Sequence, residues 1–581
     1  MCSTLLSSVA RIPKLIIQSL GLGSKASPVF KETKMDLGLA DHLQALNGTL
    51  QSICLATGSP GLSIGVAQAG SIIHTAHFGY RDVENALPPD SDTIYGVASL
   101  TKSFVASAMG ILVDEGKVKW TTPVKSILPE LDTQDALTTE QLSVADLFIH
   151  NSGLAFSNNW WYGADGELLL EKDQTVPAFN ALKQRSKFRN KYSYSNWPYC
   201  IAGEVIEKLS GETFGSFLQK RVLKPLGLTR TSAAHDNSDS NLARPYAVLD
   251  DKTPFRLPFP KTHDGNFMAP AQAVRSSVND MLAYGSALLA AQRLELAGEQ
   301  PAPGNPLRGA AKQLSGHISK NPASPLRENS YALGMDRIQL PQSIAGIGCN
   351  GMFVREMPHL VPGSESGGSL LLVHTGSVAG YTSMIGMLPE YNDTVIFTAS
   401  NSVGLGDASG WALQLLIETI IQSESKTDFV ALAEEAAANH ARREVDNADA
   451  LAKSRTPNTH PRASLDDYVG NYFGLGGLFK LQIRRRDADG ELEMLFQGLE
   501  SQAWPLTHYE HDTFTWLQPF NEQARRARFN FAGPDIFKLK FMAGKENAGG
   551  EIDRVCWMQE PGLPEEDQCL FRSPTAAATQ H

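Results

Sequence analysis

Cysteine is scarce in this chain: six residues in 581, Cys2, Cys54, Cys200, Cys349, Cys556 and Cys569. No pair has Cys-x-x-Cys spacing, so neither a zinc cluster nor a redox dithiol is indicated. Their density is far below that of a disulfide-stapled scaffold, and reduced thiols in the cytosol are expected. No run approaches the roughly 18 apolar residues needed to span a bilayer. Positive charge is the minority, with a formal net charge of −11, and no basic cluster is interleaved with aromatics. That argues against nucleic acid or an anionic membrane as partner, since both attract basic surfaces. No His, Asp or Glu grouping carries metal spacing, so no metal and no cofactor is expected. No periodic internal repeat is evident.

The N-terminus holds Leu15-Ile16-Ile17 behind Arg11 and Lys14. A secretory signal places its charge first and follows it with about 7–15 apolar residues, which this segment matches poorly. The expected location is the cytoplasm, with residues 1–23 the one stretch weighed as a targeting signal.

What is present is an ordinary globular composition, 42% apolar and 19% charged. The length calls for two or three domains. The most informative stretch is Tyr95-Gly96-Val97-Ala98-Ser99-Leu100-Thr101-Lys102. Val105, Met109, Leu112 and Val113 follow at helical spacing, and Gly116 is a stop. Residues three apart share one side of a helix, so Ser99 and Lys102 would point together into one pocket. A serine becomes a nucleophile when an amine beside it is neutral enough to take its proton, and burial or a nearby cation lowers an amine's pKa. By itself Ser-x-x-Lys is a weak signal, because Ser423-Glu424-Ser425-Lys426 matches it too.

Two later motifs add weight. Tyr194-Ser195-Asn196 lies mid-chain, and His374-Thr375-Gly376 ends the apolar run Ser369–Val373. Ser-x-x-Lys, a middle motif ending in Asn, and a Lys-Thr-Gly-type triplet occur in this order in serine β-lactamases and penicillin-binding proteins. The sequence resembles the class C β-lactamase and DD-peptidase superfamily, whose middle motif reads Tyr-x-Asn. The stretches Leu142–Leu154, Tyr194–Gly211 and Lys224–Thr231 resemble further family segments, and the likeness covers roughly residues 38–425. It implies an α/β (α+β) fold: an antiparallel five-stranded sheet flanked by helices, with a helical lobe. The expected strands are Leu62–Ala67, Ile72–Phe78, Leu370–His374, Thr382–Leu388 and Thr394–Ala399.

The expected division of the chain is a leader over 1–36, a β-lactamase-like domain over 37–425, a helical and Pro-containing linker over 426–464, a barrel over 465–573 and a tail over 574–581. The barrel is expected from short β-rich runs between turn signals, Ala527–Phe531 among them. It resembles the lipocalin-like C-terminal domain of some family members. Residues 236–270 read as a surface excursion and Leu296–Asn329 as a loop or lid. Gly61-Leu62-Ser63-Ile64-Gly65 matches the nucleophile-elbow pattern, but a strand follows the serine where a helix is required.

Ser99, Lys102 and Tyr194 are thus the expected catalytic residues, attacking an ester, amide or peptide bond of a small molecule. Which of Lys102 and Tyr194 is the main base is left open, with joint titration of the pair the safer description. The resemblance implies an oxyanion site of the Ser99 and Ser377 backbone N–H groups, and Asn196 orienting Lys102 and a substrate amide. Gly376 is expected to leave room for substrate along the strand. Thr375 belongs to the same substrate-binding strand. His374 in place of lysine is expected to hold an anionic group less firmly and with pH dependence. His150 reads as a structural hydrogen-bonder. Trp160 and Trp161, with Tyr162 and Phe179, are expected to shape a bulky acyl site or to pack the helical lobe. An acyltransferase or cyclase of the same fold, active in secondary metabolism, shares the first half-reaction; a silent binding or scaffolding protein is the reading from another class. No partner beyond a small-molecule substrate is required, and a homo-oligomer is admitted.

Overall fold

A computed structural model describes residues 37–320, 326–364, 368–531, 533–544 and 550–572. The leader, the targeting stretch, Cys2 and the tail lie outside these residues. Among the described residues no helix is long and apolar enough to cross a membrane.

The central sheet has eight strands. Its order is Ser71–Gly79, Gly61–Gln68, Thr394–Ser400, Tyr381–Leu388, Leu370–Val378, Asp336–Gln339, Asn329–Tyr331, Ile318–Ser319. The first five are the expected strands, and three short ones extend the edge beyond them. The two ends of this α/β part meet in the middle, where Leu62 sits opposite Ser400 in antiparallel register. The first hairpin turns on Ala69 and Gly70, both at positive φ (47° and 78°), the backbone a tight two-residue turn demands. Ser63 of the rejected elbow motif is buried inside Gly61–Gln68, bonded to Tyr95 and His77.

Each face of the sheet is covered by helices. Val278–Leu296 packs on one, capped by the Ser277 hydroxyl, which accepts the Asp280 N–H. Ala408–Ile420 and Asn47–Thr57 cover the other. The stretch expected as a linker is largely one 26-residue helix, Phe429–Ser454. Phe429, Ala433, Ala436, Ala437 and His440 form its buried stripe, and it packs against Asn47–Thr57. The expected excursion over 236–270 is partly core. Tyr246–Val248 is fully buried and pairs in parallel with Ser402–Val403.

The C-terminal part is a nine-stranded antiparallel sheet, ordered Ala503–Pro505, Leu492–Phe496, Phe479–Arg485, Gly470–Gly474, Cys569–Phe571, Ile552–Trp557, Lys538–Ala543, Thr513–Thr515, Thr507–Glu510. Leu506 alone separates its two edge strands, so the sheet curls into a nearly closed small barrel. Aromatic rings fill it: Trp516 lies within 5.1–6.1 Å of Phe537, Trp504, Phe496 and Trp557. Two expectations are corrected here. Cys556 and Cys569 stand directly opposite on neighbouring strands, with Cα atoms 3.9 Å apart, and form a disulfide. Their 13-residue separation hides a pairing that only strand register creates. Ala527–Phe531 is not a strand. It runs between the barrel and the α/β part, where its side chains find partners on both.

Candidate active site

Ser99 is presented by a sharp turn. The chain leaves the bridge Tyr95–Gly96, paired with Arg275–Ser276, and passes through Ala98 at φ 45°. Such a left-handed residue costs on the order of 1–3 kcal/mol and persists only when its surroundings hold it. Here Val97 N–H donates to Val274 O (3.0 Å) and Leu100 N–H donates to Val97 O (3.1 Å). A 3₁₀ turn, Ala98–Leu100, leads into the helix Thr101–Asp114. That helix is buried from Thr101 to Leu112, on all sides rather than along the one expected stripe. Gly116 follows its end at φ 69°.

Lys102 is fully buried one turn on. Its Nζ lies 2.9 Å from Ser99 Oγ, 2.7 Å from Asn196 Oδ1 and 3.0 Å from Ala271 O. Burial pulls the amine down to about 7. The amide and carbonyl oxygens can only accept. A neutral amine therefore spends both N–H groups on them and turns its lone pair to Ser99. The Tyr194 hydroxyl donates to the same Oγ at 3.0 Å. Burial raises the Tyr194 pKa above its ordinary value, so it remains a phenol and a donor. Lys102 and Tyr194 meet through Ser99 rather than as a directly bonded pair; the Lys102 amine sits over the tyrosine ring, 5.1 Å from its centre.

Asn196 precedes the helix Trp197–Ser210. Its Nδ2 donates to Asn158 Oδ1 at 3.2 Å, which leaves its Oδ1 for Lys102. His150, buried, accepts the Ser195 N–H on Nδ1 (3.2 Å) and so pins the Tyr194-Ser195-Asn196 turn. Burial takes its pKa well below the usual imidazole range.

The strand that carries His374-Thr375-Gly376 departs from expectation at three positions. His374 is 1% exposed. Its Nδ1 donates to Thr375 O (2.7 Å) and its Nε2 accepts from the Tyr331 hydroxyl (2.9 Å). Burial, then the Lys102 charge, lowers it to about 3. It is a neutral ring with both nitrogens occupied, not a pH-dependent anchor for an anion. Gly376 makes room for protein, not for substrate: a Cβ there would stand 2.2 Å from the Val97 carbonyl oxygen. Thr375 alternates to the opposite face, where its Oγ1 lies beside Gly348.

Ser99, Asn196 and Ser377 border one cavity of about 500 Å³. Phe156, Asn158, Trp161 and Tyr162 form a second wall. Trp160 does not join them. It points the other way and packs on Phe479 and Trp557 of the barrel, at 5.1 and 6.4 Å between ring centres; neighbouring residues of one loop face opposite sides. Phe179 is core.

The far wall belongs to the C-terminal part: Phe529, Asn530, Phe531, Ile536, Gln559 and Pro561. Arg528, 1% exposed, holds it in place. Its guanidinium donates to Tyr162 O and to Asn159 Oδ1 (3.1 Å) and lies over the Tyr162 and Phe496 rings. Gln502 exchanges a pair of hydrogen bonds with the backbone of Ala164 (2.7 and 3.2 Å), and Ser157 Oγ donates to Gln559 Oε1 (3.0 Å). Sequence reasoning found none of these wall residues. Their only signal was an aromatic run, Phe529-Asn530-Phe531, read as a strand.

A sequence model described as Beta-lactamase matches residues 39–418, well over half of the chain, and one described as a Domain of unknown function (DUF3471) matches 454–538. The chain is 26% identical over 244 residues to Unguisins hydrolase ungD' of Aspergillus campestris, covering 40% of this chain and 44% of that protein. It is 25% identical over 191 residues to Protein flp of Staphylococcus aureus, covering 31% of this chain and 36% of that one. The matched stretch thus spans less than half the length of either relative. The octameric penicillin-binding protein homologue from Pyrococcus abyssi aligns with a TM-score of 0.49 at 21% identity, over 91% of this chain and 99% of that one.

Proposed function

The chain belongs to the Beta-lactamase family, and on that footing we propose that it is a serine hydrolase forming an acyl-enzyme on Ser99. The observation that carries the reading is the environment of Lys102: buried, lowered to about 7, and with both N–H groups claimed by acceptors. The Ser99 proton passes to that amine as Oγ attacks an ester or amide carbonyl. The oxyanion is stabilised by the backbone N–H groups of Ser99 and Ser377. The Tyr194 hydroxyl, already donating toward Oγ, delivers a proton to the departing alcohol or amine. In the second half-reaction the Tyr194 phenolate takes a proton from the attacking water, and Lys102 returns its acquired proton to Ser99 Oγ as the acid leaves. The proposed units are a catalytic part over 37–425 and a barrel over 465–573 that closes its mouth. The name of the Aspergillus campestris relative, a hydrolase, supports this direction.

Transfer of the acyl group to an alcohol or amine uses the same first step. The apolar wall favours it as a second reading, because Phe529 and Phe531 line the space beside Ser99 that an acceptor alcohol or amine would enter. Intact mass spectrometry after brief exposure to p-nitrophenyl esters, with Ser99→Ala alongside, tests the common step. An acyl adduct on the wild type alone supports it; unchanged turnover in Ser99→Ala overturns it. Added alcohol or amine that diverts product from hydrolysis favours transfer.

A further inference from the structure

The cavity beside Ser99 has no charged lining. Among the described residues that border it, none is Asp, Glu, Lys or Arg. Its one imidazole, His440, is stacked on Phe353 at 4.0 Å and accepts the Gly406 N–H on Nδ1. Burial and then Arg443 lower it to about 3, so it too is neutral.

Ionisable groups stand behind the wall rather than in it, among them Arg443, which lies over the Phe531 ring at 4.7 Å and faces Glu444 at 3.4 Å. Arg528 spends its Nη groups on Tyr162 O and Asn159 Oδ1. Glu560 accepts the Phe156 N–H (3.2 Å) and faces Arg185 at 3.3 Å. Lys102 lies below Ser99, its contacts already taken.

Carboxamides and rings take the place of charge. Six amide side chains border the cavity: Asn158, Asn159, Asn196, Gln272, Asn530 and Gln559. Some are anchored at one end only. Gln272 Nε2 donates to Thr262 Oγ1 (2.9 Å) and Asn158 Oδ1 accepts from Asn196. Gln272 Oε1, an acceptor, and Asn158 Nδ2, a donor, have no protein partner among the described residues. Such a surface answers both the C=O and the N–H of an amide chain. The rings of Phe156, Trp161, Phe529 and Phe531 cover apolar groups between them. A carboxylate entering this space loses its water and meets no cation in the lining, and the guanidiniums behind it are engaged, Arg528 with Tyr162 and Asn159, Arg185 with Glu560 and Arg443 with Glu444, whereas a neutral amide exchanges water for equivalent bonds.

We propose that the site selects acyl donors that are uncharged on the acyl side, built of amide or ester units with apolar or aromatic side groups. It excludes free carboxylates, and Phe529-Asn530-Phe531 of the C-terminal part is its specificity-determining segment. This rests on the Ser99 acyl-enzyme reading above.

The test is a matched set of p-nitrophenyl esters of phenylalanine, N-acetyl, N-succinyl and N-succinamoyl, given to the full chain. The succinyl compound adds a carboxylate; the succinamoyl compound replaces that carboxylate with a carboxamide of nearly the same shape. The expected kcat/KM for the acetyl ester exceeds that for the succinyl ester at least about tenfold, and the succinamoyl ester recovers the acetyl value. Phe531→Lys, which places a cation at the mouth, narrows the ratio. A succinyl ester turned over as fast as the acetyl one, with Ser99 acylated in both cases, overturns this inference and leaves the nucleophile standing. A ratio unmoved by Phe531→Lys removes the segment from specificity. No adduct and no turnover with any of the three sinks the nucleophile and the inference together.

Discussion

Lys102 Nζ stands 2.9 Å from Ser99 Oγ, and the other two contacts of that nitrogen are acceptors alone. As an ammonium, Lys102 donates to all three and has nothing with which to take a proton. As an amine, it donates to two and faces the serine with a lone pair. With the amine lowered to about 7, kcat/KM is expected to rise with pH through about 7 and then level. His374, held near 3, adds no step in that range. Glu560, pushed up to about 7 by burial, is a group behind the cavity wall that could imitate the limb. Glu560→Gln should leave the limb in place. Lys102→Arg, a cation that cannot deprotonate, should cost about 10³-fold in turnover at every pH.

Asn196→Asp exchanges a neutral acceptor 2.7 Å from Nζ for a carboxylate. An opposite charge at that distance favours the ammonium, so the amine's pKa rises, by about 1–3 units. The acidic limb of the pH–rate profile should move upward by a similar amount, with the plateau partly recovered at high pH. A limb that stays near pH 7 would assign it to another group.

Tyr194→Phe removes the second contact of Ser99 Oγ. Because burial keeps Tyr194 a phenol, its role is expected at the leaving group. Turnover of amides and alkyl esters should fall by about 10²-fold or more. A p-nitrophenyl ester, whose leaving group departs readily as an anion, should lose much less. Equal losses on both substrates would make the tyrosine part of serine activation instead.

Arg528→Leu takes a buried guanidinium out of the contact between the barrel and the loop carrying Asn159 and Tyr162. Two charge-assisted bonds are lost, about 2–3 kcal/mol of stability, to be read as a lowered thermal midpoint. The KM of bulky esters should rise about tenfold with kcat for a small ester nearly unchanged, since the chemistry at Ser99 is untouched. An unaltered KM would mean that the segment 527–531 is held by its own packing.

How legible was this site in the sequence? Ser99 and Lys102 are three residues apart at a helix start, a spacing that local geometry alone turns into contact. Tyr194 and Asn196 were readable only through the resemblance to a Tyr-x-Asn motif, since ninety-odd residues separate them from Ser99 and no local spacing links the two. Ala271 was not: its contribution is a backbone carbonyl, which carries no residue signature. His374 was visible as a motif position, but its charge state depends on Tyr331 and on burial, neither of which spacing reveals. The five long strands of the sheet were legible as short apolar, β-branched runs, two of them buried on both faces; the short edge strands were too brief to show a pattern of their own. Trp160 and Trp161 are adjacent and face different parts of the molecule, so composition pointed to the right loop and the wrong side chain. The wall from 527 to 531 depends on how two units dock, an arrangement no local pattern encodes.

That wall also has a consequence in time. A ribosome completes Ser99, Lys102, Tyr194 and Asn196 long before it reaches Phe529. The nascent chain can therefore hold the proposed nucleophile while the side of its pocket proposed to discriminate among substrates has yet to be synthesised. A chain ending between the long helix Phe429–Ser454 and Phe529 would carry the proposed nucleophile without the wall proposed to select its substrates. On the proposed reading, the residues of the chemistry are made early and those of selectivity last.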